Sequence, residues 1–67
     1  MEEVKIVFKG RSYTFHISEV MFFEIQKDNL FLALNKHNSV MDLEKYEFQR
    51  PGMYKIPTSD FILATVR

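Results

Sequence analysis

A chain of 67 residues makes one domain, with a single core that is only marginally stabilising. It contains no cysteine, which excludes disulfide staples and thiolate metal sites. Nine basic and nine acidic side chains leave no net charge, so it shows neither the basic surplus usual in a nucleic-acid binder nor the acidic surplus of a DNA mimic. Seven Phe and three Tyr mark a chain that folds, because disordered chains are poor in aromatics. That bulk either fills the core or forms an apolar face that a partner covers. Met1-Glu2-Glu3 resembles no signal peptide, and the apolar runs fall far short of a membrane span. A cytoplasmic location with no membrane partner is therefore expected.

In chain order, Val4-Lys5-Ile6-Val7-Phe8 places Val4, Ile6 and Phe8 on one face of a strand. Lys9-Gly10-Arg11-Ser12 is a turn in which Gly10 can take a positive φ. Tyr13-Thr14-Phe15-His16-Ile17 alternates again, which completes a β-hairpin. Ser18-Glu19 breaks the pattern. Val20-Met21-Phe22-Phe23-Glu24-Ile25-Gln26 is apolar on both faces and reads as a central strand buried on both sides, or as an interface strand. Lys27-Asp28-Asn29 is a turn in which Asp and Asn tolerate the left-handed region, and Leu30-Phe31-Leu32-Ala33-Leu34 closes a second hairpin.

Asn35-Lys36-His37-Asn38-Ser39 is a polar loop. Ser39 can cap the segment that follows, and Asp42 suits the positive end of a helix. Val40, Leu43 and Tyr46 recur at i, i+3 and i+6, so residues 40–48 are expected to form a short amphipathic helix, ended by Pro51-Gly52. Met53-Tyr54-Lys55-Ile56 is a short strand, Pro57-Thr58-Ser59-Asp60 a turn, and residues 61–66 a last strand. The expected fold is α+β and mainly β: a small antiparallel sheet of about six strands with one short helix, in the order β-β-β-β-α-β-β. It is compact around Phe15, Phe23 and Ile25.

No catalytic constellation stands out. His16 and His37 are isolated, with no Asp or Glu at ligand spacing, so neither a metal nor any other cofactor is expected. The carboxylates are spread over turns and the helix surface, where solvated charges and caps account for them. Ser12, Ser18, Ser39 and Ser59 lie at turns, outside any Gly-x-Ser-x-Gly elbow. The chain is expected not to be an enzyme. The loop Lys36-His37-Asn38 carries donors suited to phosphate or base edges, and Arg11, Arg50 and Lys55 extend it as a basic patch, although scattered basic residues are ordinary on any surface. Met21, Phe22 and Phe31, with their apolar neighbours, exceed what one sheet face and one short helix can cover. A homodimer or a protein partner would bury them, unless a two-layer core does.

Ile17-Ser18-Glu19-Val20-Met21-Phe22-Phe23-Glu24-Ile25, followed by Asp28-Asn29-Leu30-Phe31-Leu32, resembles the opening of the LytTR DNA-binding domain. That family carries an acidic residue, an aliphatic, an aromatic and Ile-Glu before a turn and a second strand. Ser39-Val40-Met41-Asp42-Leu43-Glu44 is similar to the family's helix, and Lys55-Ile56-Pro57-Thr58-Ser59 with Phe61-Ile62 is similar to a later segment and the strand after it. The resemblance covers most of the chain through short, mostly core-type motifs. It implies an elongated antiparallel β arrangement and contact with DNA. In the family a His-Arg pair and a later Asn contribute to that contact. Pro57, Thr58 and Leu63 stand in those places here, and a further strand or two and a basic segment of the family are not matched. The contact positions that remain implied are Lys55, Ser59 and the loop Lys36-His37-Asn38.

Two functional expectations follow. One is a small regulatory LytTR-like module that binds duplex DNA, or modulates a larger regulator, through Lys36, His37, Asn38, Arg50, Lys55 and Ser59. The other is a protein-interaction module, such as a phage or mobile-element inhibitor or a self-associating accessory protein, that uses Met21, Phe22 and Phe31.

Overall fold

The computed structural model describes residues 2–35 and 40–67. Among these described residues, seven strands form two antiparallel sheets rather than one sheet of about six. The first sheet has the order β2-β1-β7, with β1 Glu3–Phe8, β2 Arg11–His16 and β7 Leu63–Val66. The second has the order β3-β4-β6-β5, with β3 Val20–Gln26, β4 Asn29–Leu34, β5 Glu47–Phe48 and β6 Arg50–Pro57.

The division arises at two single-turn 3-10 helices. Ile17–Glu19 interrupts the chain where Ser18-Glu19 breaks the alternation, so β3 does not continue the first hairpin. The N–H of Ile17 donates to Glu2 O at 2.9 Å, and that of Asn35 to Glu19 O at 2.8 Å, which satisfies backbone groups outside either sheet. The Thr58 N–H makes a last bond to Asp28 O at 2.8 Å, and Thr58–Asp60 then carries the chain out of the second sheet. Ile62 N–H donates to Val7 O at 2.7 Å, and β7 returns antiparallel to β1, with Ala64 opposite Ile6.

The inner faces of both sheets share one core. In the first hairpin, Val4 pairs with Phe15 and Ile6 with Tyr13. These residues meet Leu30, Leu32, Leu34, Tyr54 and Ile56 of the second sheet, with Leu43 in the same cluster. Each such aliphatic side chain contributes about 1.5–3 kcal/mol on burial. The first hairpin turns at Gly10, whose φ of +89° is one that L side chains rarely adopt. In the second hairpin the left-handed residue is Lys27, at φ 52°, and not Asp28 or Asn29.

Four expectations are corrected. No α-helix occurs among the described residues: Met41–Tyr46 is a 3-10 helix. Val40, Leu43 and Tyr46 repeat every three residues, which is the 3-10 period of 3.0 residues per turn and not the 3.6 of an α-helix. The proposed cap Ser39 lies outside the described residues. β3 is an edge strand, and the internal strands of its sheet are β4 and β6. β3 looks apolar on both sides because a bulge between Val20 and Phe22 leaves Met21 as an extra residue, so Met21 and Phe22 leave the core together. Ile25 lies on the inner face opposite Leu30 yet is half exposed, since an edge strand has no further strand to shield it. Finally, Pro51 and Gly52, expected to end the helix, lie within β6, where Gly52 is buried at φ +91°.

Candidate functional site

An apolar surface lies on the outer face of the four-stranded sheet, where Met21 and Phe22 are exposed. Residues directly opposite in an antiparallel pair share a face. Glu24 pairs with Phe31, and Phe31 with Lys55, which forms one row across β3, β4 and β6. The next row is Phe22, Ala33 and Met53. The row on the other side, Gln26, Asn29 and Pro57, lies towards the Lys27 turn. All of these alternate with Leu30 and Leu32 of the core, and Ala33 is itself buried at the centre of its row.

The face is apolar in its middle and charged at its flanks. Phe22 is 46 % exposed and Met21 63 % exposed. The Phe31 ring lies 6.0 Å from that of Phe48, whose strand is the far edge of the sheet. The Lys55 ammonium stands 6.0 Å from the Phe31 ring centroid, within cation–π range. On the opposite flank the Gln26 side-chain amide donates to the Glu24 carboxylate.

The structure brings together only part of what the sequence suggested. Met21, Phe22 and Phe31 share the outer face. Lys36, His37 and Asn38 lie outside the described residues. Arg50 stands at the start of β6, where its guanidinium donates to Pro51 O at 2.8 Å and Leu34 O at 3.4 Å and lies 3.7 Å from Met21 Sδ. It holds local structure and also bounds the apolar face. Lys55 is exposed, five residues further along β6. Ser59 lies beyond the end of that strand, with its hydroxyl 3.4 Å from Asp60 Oδ1. Arg50 and Lys55 are therefore about 16 Å apart along β6 at about 3.3 Å per residue, with Ser59 in the 3-10 turn beyond its end. Arg11 does not extend a basic patch, because it forms an ion pair with Asp42 at 2.9 Å.

A second feature escaped sequence reasoning: a cleft of about 450 Å³ between the tip of the first hairpin and the 3-10 helix Met41–Tyr46. Phe8 packs edge-on to Tyr13, with centroids 5.6 Å apart, and stacks with Tyr46 at 6.1 Å. Tyr13 donates to Asp42 at 3.2 Å and Tyr46 to Asp60 at 2.9 Å. Burial, reinforced by the bond to Asp60, pushes the Tyr46 phenol above its usual range. The bond to Tyr13 and the nearby Asp42 raise Arg11. These groups satisfy one another across the cleft and tie the hairpin to the helix. Their sequence separation, 29 residues for Tyr13 and Asp42, leaves no local signal that could have revealed them.

His16 Nδ1 lies 2.7 Å from the Ser18 hydroxyl and accepts from the Ser18 N–H at 3.2 Å, so it caps the 3-10 turn. Among the described residues no three His, Cys, Asp or Glu side chains gather as metal ligands. No helix among the described residues is long and apolar enough to cross a membrane. Comparison of the chain with protein-family models, curated proteins and solved structures finds no match to any of them.

Proposed function

We propose that this chain is a non-enzymatic interaction module that docks a protein surface through the outer face of its four-stranded sheet. The supporting observation is that Met21, Phe22 and Phe31, with Phe48 and Met53 beside them, are turned away from a core that is already complete without them. Isolated exposed apolar residues are ordinary, but a contiguous apolar patch with a polar rim marks an interaction site. Glu24, Gln26, Lys55 and Arg50 supply that rim, and an apolar middle within polar edges is the anatomy of a protein interface.

Site-specific photo-crosslinking tests this. A benzophenone side chain at position 31 is expected to yield a protein adduct in cells that express the chain. The same group at Thr14, exposed on the other sheet, is expected to yield none. Absence of any adduct at position 31, or equal adducts at both positions, would show the face to be inert.

A second reading is a small regulatory DNA-binding module, as the resemblance to the LytTR domain implies. The exposure of Lys55 favours it. Duplex binding measured by anisotropy would then weaken as salt rises, because counterion release drives such contacts. It would also weaken with Lys55→Gln. Salt-independent binding, or none at low salt, would rule DNA out.

A further inference from the structure

We infer that the partner of the outer face is a second copy of the chain, packed sheet on sheet; this rests on the docking role proposed above. The pairing register carries the inference. In the central row the acidic Glu24 lies on β3, Phe31 on β4 and the basic Lys55 on β6, about 4.8 Å apart from strand to strand. The row therefore has opposite charges at its two ends and an aromatic ring at its middle.

A half-turn about an axis parallel to β4, lying between two such faces, sets β3 of one copy over β6 of the other. Glu24 then faces the partner copy's Lys55, and Lys55 the partner copy's Glu24, while the two Phe31 rings meet on the axis. The neighbouring row obeys the same operation: Phe22 comes against the partner copy's Met53 in both directions, while Ala33, buried within its own chain, lies beneath the axis. A half-turn about an axis running across the strands through the central row would instead set Glu24 on Glu24 and Lys55 on Lys55. The charges thus select one isologous arrangement. Rotation of the sheets by about 30°, usual for aligned packing, stays within reach of the Glu and Lys side chains.

Edge-to-edge pairing through β3 is the competing mode. The bulge at Met21 disfavours it, because bulges twist an edge away from regular pairing. A patch three strands wide and about four residues long covers roughly 200 Å² on each copy, about 400 Å² in all, well short of a stable interface, so the pair is weak and forms only at high concentration.

Sedimentation equilibrium of the full chain over a wide concentration range is the test, with folding of every variant checked by circular dichroism. Wild-type protein is expected to dimerise reversibly. Glu24→Lys and Lys55→Glu should each weaken the dimer about tenfold or more, since like charges then face each other, and the double exchange Glu24→Lys with Lys55→Glu should restore it. If a variant fails to fold, the salt dependence of the wild-type dimer serves instead, because exposed ion pairs are screened and the dimer should weaken as salt rises. A wild-type chain that stays monomeric overturns self-pairing, as does a dimer indifferent to both charge reversals and to salt, or a double exchange that fails to rescue. A crosslink from position 31 to a different protein, with a monomeric chain, would overturn self-pairing while leaving the docking role intact. No crosslink of any kind would remove both.

Discussion

The phenolic oxygen of Tyr54, on a side chain with no exposed surface, accepts a hydrogen bond from the backbone N–H of Val40 at 3.0 Å. That bond joins β6 to the start of the 3-10 helix, where the N–H would otherwise lack a partner. Tyr54→Phe keeps the ring and leaves the N–H unmatched. A loss of about 1–2 kcal/mol is expected in urea unfolding, in line with an unsatisfied buried donor. An unchanged midpoint would show that water reaches Val40.

The same phenol and that of Tyr46 lie above their ordinary range, chiefly through burial, which disfavours the charged form. Above the unfolded pKa of 10.0 the unfolded state loses these protons while the folded state keeps them. Unfolding therefore releases protons, and stability falls as pH rises from about 10 towards the folded values. The stabilisation is fully present below that window. Unfolding curves taken across the alkaline range should show the decline, and Tyr46→Phe should flatten it. A stability independent of alkaline pH would contradict the burial of both hydroxyls.

Lys27 sits at φ 52° in the turn between β3 and β4. A left-handed conformation costs a residue with a Cβ about 1–2 kcal/mol, of which glycine's extra unfolded entropy returns about 0.5–1. Lys27→Gly should therefore stabilise the protein by about 0.5–1 kcal/mol, and Lys27→Val should destabilise it, because β-branched residues are outliers at positive φ. Thermal unfolding of both variants checks the sign of each. A stabilising valine would contradict the turn geometry.

The 3-10 helix offers two apolar residues of opposite standing. Leu43 is 1 % exposed and Met41 is 82 % exposed. Leu43→Ala should cost about 2–5 kcal/mol, a large share of what a small domain possesses, whereas Met41→Ala should fall within about 0.5 kcal/mol of wild type. Equal effects in chemical denaturation would mean that the helix is not packed as described.

Most of the strands, and the inward side chains of the first hairpin, were legible because alternation is local, whereas β5 lay within the expected helix and β3 misled. Val4, Ile6 and Phe15 enter the core as their spacing requires, and Gly10 marks its turn. The 3-10 helix was half legible: its apolar positions were found, but their strict period of three was read as an α-helix. The outer face was legible in its residues, Met21, Phe22 and Phe31, though not in its charged rim or in Met53 and Phe48.

What lay within the sequence was therefore period and turn chemistry, each a matter of a few adjacent residues. Only the tertiary structure decided the partners: that β7 returns to β1, that β3 is an edge, and that Glu24, Phe31 and Lys55 stand in one row. Such choices depend on which distant strands minimise exposed apolar surface together. A single bulge at Met21 changes the answer for the residues beside it, and no local pattern announces that.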